Sequence, residues 1–173
     1  MKPVQSKLRP AKFPSPRRGA APARPGQKGV QGLVRFFVDT ATGASSLADL
    51  PLASQVEALE AGLPQAELID LQDSLAVTND RLVQLVGLSK ATFHRYKITG
   101  ANLDPLVSDR VARFALLLAR AIKVFGSHQD AKTWLMSPQF GLGSQIPLDY
   151  AKTEVGAREV ENLLGRIEYG VYA

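Results

Sequence analysis

The chain has no cysteine in its 173 residues, only two methionines, one tryptophan and two histidines. Without thiols there is no disulfide, no thiolate metal site and no cysteine nucleophile, a composition that fits a reducing cytoplasm. The two histidines, His94 and His128, fall in different predicted helices, with no His–Glu spacing on one face and no serine elbow beside them. Metal-assisted hydrolysis and nucleophilic catalysis therefore lack their parts, and no paired carboxylates converge to replace them. The sequence reads as non-enzymatic, with no cofactor. Long apolar runs are missing too. The longest, 114–119, falls far short of the ~20 residues a membrane helix needs, and no apolar core marks a secretory signal.

Acid is absent from the first 28 residues, which carry Lys2, Lys7, Arg9, Lys12, Arg17, Arg18, Arg24 and Lys28 for a local charge of +8. The remainder sets 13 basic against 16 acidic residues, so the basic balance belongs to the tail and the body is mildly acidic, at −3. Residues 1–32 also hold six of the eleven prolines and few large apolar side chains. Such a segment buries too little to offset chain entropy and is expected to be a disordered basic tail. Its prolines argue against the amphipathic helix of an organellar transit peptide. As a solvated tail it either adds non-specific attraction to nucleic acid or is inert. The patch LVRFFV at 33–38 suits a strand or one helical turn, and 40–51 is small and polar, leading to a helix at 53–61. Residues 33–62 are thus read as linker and leading helix.

From Gln65 the pattern is regular. Leu68, Leu71, Gln72 and Leu75 mark one amphipathic helix. Thr78 or Asn79 caps the next, with Leu82, Val83 and Val86 inward and Gly87 at its end. Ser89 caps KATFHRYK, with Phe93 and Tyr96 turned inward. Helix, helix, glycine turn, helix is the helix-turn-helix plan, whose last helix can lie in a major groove. On that plan Lys90, Thr92, His94, Arg95 and Lys97 face DNA. Val83 stands where such units usually place a small residue, and a packing or dimerisation platform is the alternative use. The unit is assigned to 63–107.

Residues 99–105 form a loop, and Ser108 is read as the N-cap of the longest helix, running to Gly126. Val111, Phe114, Leu118, Ile122 and Phe125 line one face; Leu116, Leu117 and Val124 make a second, with Arg113, Arg120 and Lys123 as the polar stripe. A helix apolar on most sides is buried between others. Asp109 and Arg113 are spaced for a helix-surface ion pair. Ser127 and Asp130 form a capping box for HQDAKTWLM, where Trp134 serves as core residue or interface anchor.

The closing stretch is WLMSPQFGLGSQIPLDYAKTEVGAREVENLLGRIEYGVYA. Pro138 stops a helix, and Gly141, Gly143 and Pro147 shape an ordered-looking loop with no phosphate-binding lysine. Thr153 caps a last helix with Val155, Val160, Leu163, Leu164 and Ile167 on its apolar face, Glu154–Arg158 and Asn162–Arg166 spaced four apart, and Gly170 as a left-handed stop. An apolar, aromatic-tipped end is unusual, because chain ends are normally polar and frayed. It either closes its own domain or meets a partner.

The pattern W-L, P, L-G, P, T, G-A-R-E-V, L-L-G-R-I-E-Y-G-V in this stretch resembles the C-terminal toxin-binding domain of the Xre/MbcA/ParS antitoxin family. The resemblance runs from about residue 58 to residue 173, roughly two-thirds of the chain. It implies an all-α fold: a helix-turn-helix-like N-terminal helical domain followed by a small helical C-terminal toxin-binding domain at 108–173. The family string S-D-R-x-x-R recurs at Ser108, Asp109, Arg110 and Arg113, with no catalytic role. Departures from the pattern include Arg95-Tyr96 where two adjacent arginines are common, Gln145 in the loop, and Tyr150-Ala151-Lys152 before Thr153. By resemblance, the partner is a cognate RES-domain toxin that depletes NAD, blocked sterically at its active site. The contacts fall to Arg158, Arg166, Glu168, Tyr169, Gly170, Val171, Tyr172 and Ala173. The resemblance also implies operator DNA as a second ligand, with autorepression, and a homodimer inside a toxin–antitoxin hetero-oligomer. The alternative is a stand-alone helix-turn-helix regulator or an oligomerising adaptor without a toxin.

Overall fold

The computed structural model describes residues 52–171, so the basic tail, the LVRFFV patch, Tyr172 and Ala173 lie outside the described residues. Helix α1 is Leu52–Ala61, followed by α2 (Gln65–Leu75), α3 (Asn79–Val86) and α4 (Lys90–Thr99). Thr78 caps α3 by accepting the Arg81 amide at 3.3 Å, and Ser89 caps α4 by accepting the Thr92 amide at 3.0 Å. Gln72, which the periodicity places among the inward residues, instead staples the α2–α3 turn. Its Nε2 donates to the Val77 carbonyl at 3.1 Å and to Asn79 Oδ1 at 2.9 Å. Leu68, Leu71, Leu75, Leu82, Val83, Val86, Phe93 and Tyr96 are all buried as the pattern requires.

The long rod is α5, Pro105–Phe125, and it begins earlier than Ser108. Asp104 is the N-cap and Pro105 the first helical residue, a position that tolerates a missing N–H. The Asp104 carboxylate is occupied elsewhere: it accepts the Tyr96 hydroxyl at 2.9 Å, and the Asp104 amide donates back to the same oxygen at 3.1 Å. Ser108 lies one turn inside, fully buried. Its Oγ accepts the Leu63 amide at 2.9 Å and donates to the Asp104 carbonyl at 3.1 Å. The residue expected to cap α5 thus ties the α1–α2 connection onto it. Beside this bond Gly62 sits at φ +84°, where an added Cβ would lie 2.2 Å from the Leu103 carbonyl oxygen.

Rod α5 packs against α1, α2 and α3 on one side, and against α6 (His128–Met136) and α8 (Glu154–Glu168) on the other. Val107, Val111, Phe114, Leu117, Leu118 and Ile122 are buried, joining both halves in one core. The expected second face is only partly right. Leu117 is buried, but Leu116 is 37% exposed. Ser127 caps α6 by accepting the Asp130 amide at 3.0 Å, while its hydroxyl donates to the Asp130 carboxylate at 2.6 Å. Trp134 is half-buried against the core, its ring 5.5 Å from that of Phe125.

The 138–153 segment is ordered, with short elements of its own. A single bridge pairs Gln139 with Gln145 around a 3-10 turn at Phe140–Leu142, and a short helix α7, Pro147–Tyr150, follows. Thr153 then caps α8 by accepting the Gly156 amide at 3.1 Å. Gly156 and Ala157 are buried with Val160 and Leu164, whereas Val155 is 75% exposed. At about 100° per residue, Val155 lies roughly 140° round the helix from Val160 and misses the buried stripe. Among the described residues there is no strand beyond the bridge, and no helix is long and apolar enough to cross a membrane. The fold is all-α, a helix-turn-helix unit followed by a helical C-terminal unit.

Candidate functional site

Two surfaces carry the residues singled out by sequence. On α4, the first is built by the Ser89 cap and by Phe93 and Tyr96, which bury one side and turn the other outward. Lys90, His94 and Lys97 follow one another at spacings of four and three, and so share a face. With Asn79 and Asp80 of α3 they line a groove of about 260 Å³. Arg95 is exposed but does not line this groove, its guanidinium lying 5.6 Å from the Tyr96 ring centroid. Thr92 is half-buried and hydrogen-bonds the Ser89 hydroxyl at 2.9 Å. The helix therefore brings together three of the five expected residues and diverges at Arg95 and Thr92. Asp80 is a residue the sequence reading missed. Its carboxylate pairs with Lys90 Nζ at 2.8 Å across the groove. Lys97 lies 5.1 Å from the Phe93 ring centroid.

The second surface is the C-terminal end of α8. The helix closes with a Schellman pattern: the Gly170 amide donates to the Ile167 carbonyl and the Val171 amide to the Arg166 carbonyl, with Gly170 at φ +66°. These bonds set the backbone at the end of α8, where Tyr169 and Val171 are 78% and 57% exposed. The charged residues divide by use. Arg158 pairs with Glu154 one turn earlier, at 3.1 Å. Glu168 is drawn inward to α5, where it meets Arg120 at 2.5 Å and Lys123 at 3.7 Å. Its carboxylate fastens α8 to α5. Asn162, spaced four from Arg166, contacts Glu159 instead at 3.4 Å.

Arg166 remains. With Arg120, Glu161, Asn162, Tyr169 and Val171 it lines a cleft of about 540 Å³, and its Nε is shielded from solvent with no hydrogen-bond partner. Arg120 and Glu161 were not among the expected site residues. Arg120 lies 48 positions from Glu168, so no local pattern joins them. A third exposed feature is Phe140, 93% exposed at the tip of the 3-10 turn.

The histidines do not meet. His94 is on the α4 face, and His128 is in the first turn of α6, its pKa lowered by burial and by Lys132 against a bond with the Ser74 backbone. Among the described residues no group of three or more His, Cys, Asp or Glu could hold a metal ion. The geometry offers grooves and side-chain anchors, which suit binding.

Two sequence-family models match the chain. Residues 54–116 match the antitoxin Xre-like helix-turn-helix domain, and residues 120–170 match the antitoxin Xre/MbcA/ParS C-terminal toxin-binding domain. The two matches adjoin within α5. Curated relatives include an "Antitoxin Xre" of Yersinia enterocolitica, 31% identical over 110 residues, 61% of this chain and 74% of the relative. Another "Antitoxin Xre", of Photorhabdus laumondii, is 30% identical over 114 residues, 65% of this chain and 77% of the relative. With both of its helical units matched in order, the chain belongs to the Xre/MbcA/ParS family of antitoxins, non-enzymatic helix-turn-helix partners in toxin–antitoxin systems.

Proposed function

We propose that this antitoxin neutralises a RES-type, NAD-degrading toxin by sterically covering its active site, and that it represses its own operon in the cytoplasm. The observation that carries the toxin-facing part is the fixed, exposed end of α8. Tyr169 and Val171 stand out from a helix end locked by its Schellman bonds, offering amphipathic anchors already held in place. Arg166 and Gly170 complete this surface, and Tyr172 and Ala173 extend it beyond the described residues. Arg158, on the exposed outer face of α8, would join at the rim, while Glu168 would act from within by bracing the helix.

The DNA-facing part rests on the α4 face, where Lys90, His94 and Lys97 would meet the operator, with Arg95 and Thr92 toward the flanks. Helices before residue 108 would thus serve DNA and those after it the toxin. Ile98 and Leu106, 70% and 74% exposed, leave apolar surface on the helix-turn-helix half that supports a homodimer within the toxin complex.

The test is cellular NAD after inducing the adjacent gene alone and then with this chain. A collapse that co-expression rescues, and that a chain lacking residues 170–173 does not, is the expected result. An unchanged NAD level removes the toxin assignment. The Lys90–His94–Lys97 face then favours a stand-alone regulator, whose DNA affinity survives removal of residues 153–173.

A further inference from the structure

Arg166 is set apart from the other cations at its end of the fold. Arg120 and Lys123 are both engaged by Glu168, and Arg158 by Glu154. No acceptor among the described residues meets the Arg166 side chain, although its Nε is shut off from water. A buried guanidinium N–H without an acceptor is costly, which marks Arg166 as the cation at this end with bonding capacity to spare. The cleft beside it, about 540 Å³, has room for a side chain and the backbone carrying it.

We infer that the cleft between α5 and α8 receives an aspartate or glutamate side chain of the toxin, and that Arg166 is the residue that binds its carboxylate. The inference rests on the toxin-binding reading above and specifies the chemistry of the group received. Charge complementarity selects a single carboxylate. A planar guanidinium pairs with a carboxylate through two parallel N–H donors, which gives direction as well as strength. A polyanion such as nucleic acid would bring further phosphates against Glu161, on the cleft wall, and against Glu168 beside it. The exposed Tyr169 and Val171 at the rim exclude water around the pair, as the surroundings of an interface hot spot do. Tyr169 and Gly165 lie one turn apart on the same side as Arg166, so the anchor and the charge are presented together.

The test is calorimetric affinity of the full-length chain for the inactivated product of the adjacent gene. Arg166→Ala and Arg166→Gln should each weaken binding by about 10–100-fold, with helicity and melting unchanged. Arg166→Lys should recover only part, and Lys132→Ala, on α6 and outside this surface, should stay within about threefold. If a variant misfolds, Arg166→Glu is measured against toxin variants carrying Lys at each surface Asp or Glu, one of which should restore affinity. Wild-type binding that both Arg166→Ala and Arg166→Gln leave intact overturns the inference while sparing the toxin-binding reading. Wild-type chain that does not bind at all overturns that reading, and the inference with it. Loss of operator affinity in Arg166→Ala with toxin affinity intact assigns the cleft to nucleic acid and also overturns it.

Discussion

Arg81 of α3 grips Asp149 of α7 through two parallel bonds, Nη1 to Oδ1 at 2.9 Å and Nη2 to Oδ2 at 2.7 Å. Lys152 adds a contact to Oδ1 at 2.7 Å. The pair joins a helix of the helix-turn-helix unit to the short helix that delivers the chain into α8. Outside the α5 core, this fork–fork pair is a specific polar tie between the two functional halves, and only Arg supplies its geometry.

The tie makes stability depend on acid. The Arg81 side chain, helped by Lys152 and opposed by burial, lowers the Asp149 pKa from 3.8 to about 2. A carboxyl depressed in the folded state contributes stability that is complete above its unfolded pKa, near 4, and is lost as pH falls through about 2. The contribution should be about 1–2 kcal/mol, since both side chains are roughly one-third exposed. Urea unfolding of wild type and Asp149→Asn should differ by that amount at neutral pH and converge toward pH 2. A gap that persists undiminished in acid would show the pair contributes nothing through its charge.

Ser108→Ala should cost about 1–3 kcal/mol, because it strands the buried Leu63 amide without an acceptor. Chemical denaturation with an unchanged m-value is the measure. A loss below about 0.5 kcal/mol would mean that water reaches the Leu63 amide.

Gly156→Ala sets two effects against each other. Helix propensity favours alanine by about 1 kcal/mol, but an added Cβ would lie 1.8 Å from the Tyr150 carbonyl oxygen. Backbone cannot yield cheaply there, so sterics should win. We expect a net destabilisation of about 3 kcal/mol or more, with α8 displaced from α7. A melting temperature equal to or above wild type would show that α7 shifts freely.

On the α4 face, Arg95→Ala should weaken operator binding by about 1–3 kcal/mol if it reads a base. Lys90→Ala and Lys97→Ala should each reduce the salt slope by about one, as phosphate contacts do. Asp80→Asn should strengthen binding, because it frees Lys90 from its intramolecular partner. Fluorescence anisotropy against operator DNA over a salt series separates these. Unchanged affinity in all four returns α4 to a packing role.

Much of the fold was legible because its signals are local. Thr78, Ser89, Ser127 and Thr153 cap helices through bonds to amides three residues on. Gly170 marks the stop of α8 by adopting the left-handed conformation glycine tolerates. Ser108 misled for the same local reason: a serine before an apolar run looks like a cap. Its hydroxyl has another use, accepting the Leu63 amide from outside the helix and donating to the Asp104 carbonyl. Val155 is placed on the apolar face by helical spacing, but its offset from Val160 and the burial of Ala157, Val160 and Leu164 turn it outward.

Composition by itself determined the separation of the basic tail from an acidic body and the lack of thiol chemistry, whereas the all-α class came from helical periodicity and the family resemblance. Periodicity and caps, acting over one or two turns, determined where most helices start and stop. The tertiary structure alone decided how the charges are spent. Glu168 reaches Arg120, Arg81 reaches Asp149, and Arg166 is left over, because ion pairs form between groups that folding brings within a few ångströms, whatever their separation along the chain.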